Sequence, residues 1–239
     1  MDRIDKLLCS TGRWSRREVK DLVRQGRVAA DGRTVLRPEE KADPETVRLT
    51  VDGAEVVCSP FVYVMLHKPA GVLSATEDRS QPTVLDLLPP ELKRRGLFPV
   101  GRLDKDTTGL LLLTDDGPLA HRLLSPKKHV DKVYLARVDG QVDGADAAAL
   151  AAGLTLGDGT VCLPAGLEPL GDGSTCLVTL REGKYHQVKR MLAARGKPVV
   201  SLHRLQMGPL ALDEDLKPGE WRYLSNLERA ELLGAGQLQ

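Results

Sequence analysis

Apolar positions along the chain fall into two kinds of run. In the first quarter they are short and punctuated. Ser15-Arg16-Arg17-Glu18 reads as a capping box, with Ser15 as N-cap and Glu18 reaching back to it. Val19, Leu22 and Val23 then share one helical face, while Arg16, Arg17, Lys20 and Arg24 lie elsewhere on its surface. Gly26 supplies the stop. Arg27-Val28-Ala29-Ala30 predicts a strand entering an Asp31-Gly32 turn, and the alternation Val47, Leu49, Val51 before Asp52-Gly53 predicts a second hairpin.

After Ser59-Pro60 the apolar runs lengthen. The stretch from Phe61 to Leu66 is apolar throughout, as a buried strand would be. Further strands are predicted at Val133–Val138, Cys176–Leu180 and Val199–Leu202, with another at Leu110–Thr114. Helices are predicted at Leu119–Leu124, at Asp146–Ala152 and where Tyr185, Val188, Met191 and Leu192 recur before Gly196. Ser225-Asn226-Leu227-Glu228 caps a last one. Strands outnumber helices and do not alternate with them regularly, which excludes a Rossmann pattern. The expected class is α+β. A small helix–hairpin domain over residues 1–58 is followed, over 61–239, by a larger mixed, mainly antiparallel sheet with flanking helices.

Composition changes this picture in one respect. The 239 residues carry 34 Lys+Arg against 33 Asp+Glu, and only two Phe, two Trp and four Tyr. Taken as averages, these figures argue against a basic coat and against a sheet of base-stacking rings. The charge is unevenly spread, however: residues 1–37 are net +5, residues 38–60 net −4 and residues 181–204 net +6. Two basic blocks are hidden in a near-neutral sum. The charged start and the short apolar runs predict neither a signal peptide nor a membrane span, and so a soluble cytoplasmic protein. Cys9, Cys58, Cys162 and Cys176 lack paired spacing and are expected to be free thiols, with no metal site.

The densest polar loop of the large domain is Gly101-Arg102-Leu103-Asp104-Lys105-Asp106-Thr107-Thr108-Gly109. Polar residues between two apolar strands are costly unless paired or used. On composition alone, a structural ion-pair loop, including an Arg102–Asp106 pair, and a reactive loop are both open.

Two resemblances bear on that choice. Arg3-Ile4-Asp5-Lys6-Leu7-Leu8, Ser15-Arg16-Arg17-Glu18, Gly26-Arg27-Val28 and Asp31-Gly32 resemble the RNA-binding domain named after ribosomal protein S4. Gly101-Arg102-Leu103-Asp104 with Asp106-Thr107-Thr108-Gly109 and the run to Gly117 resembles the central motif of the pseudouridine synthases. The match extends to Lys68-Pro69, Asp131-Lys132-Val133-Tyr134, Gly183-Lys184-Tyr185-His186-Gln187-Val188-Lys189-Arg190-Met191 and Pro218-Gly219-Glu220. It implies that Asp104 is the catalytic nucleophile, that Tyr134 contacts the target base and that Lys189 pairs with the aspartate. Arg102 would fill the vacated stack or bind the backbone. Lys184 and Arg190, with Arg195 and Lys197 nearby, would line an electropositive cleft, and Arg16, Arg17, Lys20 and Arg24 would meet phosphates.

The chemistry suits those roles. Moving the ribose bond from N1 to C5 of one base is internally balanced, so no cofactor is needed. It requires an ionised carboxylate and a base out of its stack. A Lys189 ammonium would favour the anion and hold its orientation, and a Tyr134 hydroxyl could help remove the C5 proton. His186 and His203 have no acid partner at visible spacing and are read as RNA-contacting or structural. Within the family, Asp106–Gly109, His121-Arg122-Leu123-Leu124-Ser125-Pro126 and Tyr185–Arg190 look most like the enzyme acting on small-subunit (16S) ribosomal RNA, at uridine 516. His67 before Lys68-Pro69, and Lys184 in place of Arg, depart from the expected pattern. Action on 23S RNA, or a non-catalytic ribosome-assembly factor, are the alternatives. The expected partner is ribosomal RNA or a small-subunit assembly intermediate, engaged by a monomer.

Overall fold

The computed structural model describes residues 1–44, 46–125 and 130–235, so Pro126 of the block beginning at His121 lies outside the described residues. The chain clusters into two units: residues 1–62 with 88–97, and residues 63–87 with 98–239.

The first unit contains β1 (Asp2–Arg3), α1 (Ile4–Ser10), α2 (Arg16–Arg24), β2 (Val28–Ala30), β3 (Arg33–Thr34), β4 (Lys41–Ala42), β5 (Leu49–Val51), β6 (Ala54–Val56) and, from the later segment, α3 (Pro90–Arg94). The capping box of α2 forms as the sequence predicts: Glu18 N–H donates to Ser15 Oγ (3.3 Å) and Ser15 N–H to Glu18 Oε2 (2.6 Å). Such a cap contributes about 1 kcal/mol. Both Asp-Gly pairs turn with positive φ, 50° and 78° at Asp31-Gly32 and 54° and 78° at Asp52-Gly53. Two-residue hairpins of this hand match strand twist, and they join β3-β2-β5-β6 into one antiparallel sheet. Ile4, Leu8, Val19, Val28 and Leu49 form its dry core against α1 and α2.

In this unit α3 approaches the end of α1 closely. A Cβ on Gly12 would lie 1.9 Å from the Glu91 carbonyl oxygen. The position, at φ +75°, admits only glycine. Arg95 Nη1 donates to Ser10 O (2.5 Å), and Arg94 Nε and Nη2 donate to Gly12 O (2.7 Å) and Arg13 O (3.1 Å). Two arginines distant in sequence thus serve the last carbonyl of α1 and two carbonyls of the turn that follows it.

The second unit contains β7 (Tyr63–Lys68), β8 (Phe98–Pro99), β9 (Thr108–Thr114), α4 (Gly117–Leu124), β10 (Lys132–Val138), α5 (Gly144–Ala152), β11 (Leu154–Thr155), β12 (Val161–Cys162), β13 (Gly166–Leu170), β14 (Thr175–Leu180), α6 (Gln187–Ala194), β15 (Val199–Met207), β16 (Leu210–Ala211), β17 (Trp221–Tyr223) and α7 (Asn226–Ala235). Its large sheet runs β13-β14-β10-β15-β9-β7-β17, with β16 on β15 and β8 on β9. Every pairing is antiparallel except β15 with β9, where His203 faces Thr108 and Arg204 faces Gly109. The α+β class, with a mixed and mainly antiparallel sheet, is the one expected.

Leu110 to Leu113 are wholly buried on both faces of β9, which explains why that run is apolar at every position rather than at alternate ones. At the parallel seam, a Cβ on Gly109 would lie 2.3 Å from Arg204 O, so this glycine lets two backbones meet. The cysteines are free thiols. No described helix is long and apolar enough to cross a membrane.

Candidate active site

The polar loop between β8 and β9 is held from beneath. Leu103 is buried. Its N–H donates to Ser74 Oγ (3.1 Å), and Ser74 Oγ donates to Leu103 O (2.9 Å). On the other side of Asp104, Lys68 Nζ reaches four carbonyls: Thr107 O (2.9 Å), Pro69 O (3.0 Å), Asp104 O (3.1 Å) and Lys105 O (3.3 Å). Lys68 is fully buried. Burial pushes its ammonium down to about 8, against the pull of the Asp106 and Asp104 carboxylates. In sequence Lys68-Pro69 is only part of a motif; the role of Lys68 as the hub of the loop follows from the topology that sets β7 beside β9.

Above this base the Asp104 carboxylate, 26 % exposed, meets two groups from the far end of the chain. Lys189 Nζ, in the first turn of α6, lies 2.9 Å from Asp104 Oδ2 and 2.6 Å from Asp106 Oδ1. His186 Nε2 lies 3.4 Å from Asp104 Oδ1. Burial opposes the charge on Lys189, but its hydrogen bonds to Asp106 and Asp104 outweigh that and hold the ammonium above the ordinary lysine range. The same Lys189 contact holds Asp106 below the usual carboxylate range. Asp106 therefore belongs to Lys189, and the Arg102–Asp106 pair considered from sequence does not form among the described residues.

Asp104 and Tyr134 line one open cleft, together with Arg102, Thr107, Lys184, His186 and Leu202. Tyr134 is buried on β10, between Val178 of β14 and Arg204 of β15. Arg102 is exposed. Two sequence expectations are corrected here. His186 has an acid partner, Asp104, which a separation of 82 positions concealed. Tyr185 is not helical but stands in the turn before α6, 75 % exposed.

The electropositive cleft is also narrower than expected. Lys184 lines it, but its Nζ contacts Glu182 (3.1 Å) and donates to Val161 O. Arg190 is drawn to Asp158 (2.5 Å) and Arg195 to Asp146 (2.9 Å), and neither lines the cleft. Nor does His67, whose Nδ1 sits 2.7 Å from Leu216 O; His203 Nδ1 sits 2.8 Å from Thr108 Oγ1. In the first unit Arg16, Arg17, Lys20 and Arg24 are all exposed on α2. At 100° per residue they occupy one arc of about 100°, beside the one that the buried Val19, Leu22 and Val23 fill.

Known proteins are similar to this chain in sequence and fold. Residues 62–194 match the model of the RNA pseudouridylate synthase family, and residues 2–47 match the S4 domain. An RNA pseudouridine synthase of Bacillus subtilis is 50 % identical over 95 % of this chain and 96 % of its own. The ribosomal small subunit pseudouridine synthase A of Pseudomonas aeruginosa is 43 % identical over 93 % and 96 %. A crystal structure of a pseudouridylate synthase, 37 % identical, superposes with a TM-score of 0.68 over 97 % of this chain and all of the other. Family model, relatives and fold agree, and the chain belongs to the RNA pseudouridylate synthases, carrying an S4 domain before its catalytic sheet.

Proposed function

We propose that this enzyme converts a uridine of small-subunit (16S) ribosomal RNA, uridine 516, to pseudouridine with Asp104 as nucleophile. The observation that carries the chemistry is the Asp104 carboxylate held 2.9 Å from the Lys189 ammonium in the cleft that Tyr134 also lines. The 16S target follows the name of the Pseudomonas aeruginosa relative.

In this reading the target base leaves its stack, at a cost of a few kcal/mol, and enters the cleft. Asp104 attacks the nucleoside, the N1–C1′ bond breaks, the base turns, C5 joins C1′, and the bond to Asp104 breaks to free the carboxylate. The proton lost from C5 is balanced by one gained at N1, so the reaction consumes no cofactor. Lys189 fixes the direction of the carboxylate and offsets its charge in a partly dry site. Tyr134 lies against the uracil ring, and its hydroxyl helps remove the C5 proton. Arg102, exposed at the cleft, takes the space or the phosphate that the flipped base leaves behind. Lys184 and Arg190 reach RNA by exchanging their present carboxylate partners for phosphate. The cations of α2 hold the RNA by its backbone. The enzyme acts as a cytoplasmic monomer, on free RNA or on an assembling small subunit.

Pseudouridine mapping of both ribosomal RNAs tests this in cells that lack the protein and carry either the wild type or Asp104→Asn. One 16S site should be absent from the deletion strain and restored only by the wild type. A site missing from 23S RNA alone would move the target, and restoration by Asp104→Asn would remove the nucleophile assignment.

A further inference from the structure

The loop between β14 and α6 is pinned at both ends and bare in the middle. Glu182 and Gln187 are buried. Gln187 Nε2 donates to Glu182 Oε1 (2.6 Å), which also accepts from Leu163 N–H (2.9 Å), and Lys184 N–H donates to Gln187 Oε1 (3.0 Å). Between these anchors His186 takes a left-handed backbone, φ 48° and ψ 35°. A non-glycine residue there carries strain of roughly 1 kcal/mol or more, which persists only when its surroundings hold it.

The strained conformation brings two neighbouring rings face to face. Tyr185 and His186 stack with centroids 3.8 Å apart and planes 18° from parallel. The far edge of the imidazole reaches Asp104, and the far face of Tyr185 meets solvent. At 75 % exposure Tyr185 is the most exposed of the eight aromatic rings, in a chain that buries Tyr63 and Tyr134 almost completely. A free ring face, one histidine away from the reacting carboxylate, has the form of a stacking platform.

We propose that Tyr185 is the landing face for an unpaired nucleobase adjacent to the target uridine, with the ring of His186 as the spacer that sets this base's distance from Asp104. The proposal rests on the reading that the substrate is RNA with a flipped uridine. Every base has a π-face, so the contact tolerates sequence; what it requires is a neighbour that is not paired.

The test uses steady-state kinetics on an rRNA fragment carrying the mapped uridine, with the nucleotide on each side replaced in turn by an abasic one. Tyr185→Ala should raise KM about tenfold, as expected for one lost base–aromatic stack, and Tyr185→Trp should restore it. One of the two abasic RNAs should weaken the wild type by a similar factor and abolish the difference between wild type and Tyr185→Ala. A change of less than twofold for Tyr185→Ala would overturn the proposal. So would a loss that stays the same on both abasic RNAs. A wrong rRNA target shows in the mapping and changes only the fragment used, so the two failures are distinguishable.

Discussion

Two positively charged regions of this enzyme are built on opposite plans. On α2 the side chains of Arg16, Arg17, Lys20 and Arg24 stand in solvent along one arc, and among the described residues only Arg24 has an ion-pair partner, Asp21 at 3.1 Å. Beside the cleft the cation is held fast: Lys189 bridges Asp104 and Asp106 within 2.9 Å, above a loop organised by one buried lysine. The first plan makes a field. Its contributions add, weaken with salt and tolerate the loss of any one member. The second makes a geometry, in which each charge has a single productive place and removing one disables the rest.

Substitution of the central cation should separate the two plans most sharply. Lys189→Met is expected to lower kcat by about a hundredfold, the scale on which one preorganised electrostatic contact acts. RNA affinity measured by filter binding should change less than threefold. An equal loss of affinity would mean that the cleft works as a field too.

The next effect is a pH limb. Below about 8 Lys68 keeps three N–H donors for its four carbonyls; above that value the amine is neutral and one donor is replaced by a lone pair facing a carbonyl oxygen. Because burial lowers the folded-state value from 10.5, the charge is lost in a range where ordinary lysines keep it. Single-turnover rates should therefore be flat below the midpoint and fall as pH rises through about 8. A rate that stays level two units above that midpoint would break the link between Lys68 and the loop.

The smallest effect on catalysis, and the largest on salt dependence, belongs to α2. Replacing Arg16, Arg17 and Lys20 by Gln should leave kcat unchanged and reduce the slope of log affinity against log salt by about 2, roughly 0.7 per lost phosphate contact. Arg24→Gln should change affinity less than twofold, since Asp21 already offsets its charge.

What was legible in the sequence was whatever is local. Ser15 and Glu18 announce their cap, both Asp-Gly pairs announce their turns, and Leu110 to Leu113 announce a strand buried on both faces. Contacts across the chain were not. His186 meets Asp104 only because the parallel β9–β15 seam and α6 bring the two motifs together. Lys68 could be seen as a motif residue but not as the donor to four carbonyls. Arg190 and Arg195 counted as free charge until Asp158 and Asp146 appeared beside them. Helix α3 is not legible, although Pro90 with Glu91 is a fair helix start, because five residues are too few to show a period.

That short helix bears on how the protein is made. Ser10, Gly12 and Arg13 offer carbonyls whose arginine donors come more than eighty residues later, and Gly12 leaves room for a helix not yet synthesised when α1 and α2 emerge from the ribosome. A fragment cut near residue 60 keeps the core from Ile4 to Val56 but forfeits Arg94 and Arg95. The small unit reaches its finished form only after the first strand of the large one has been translated.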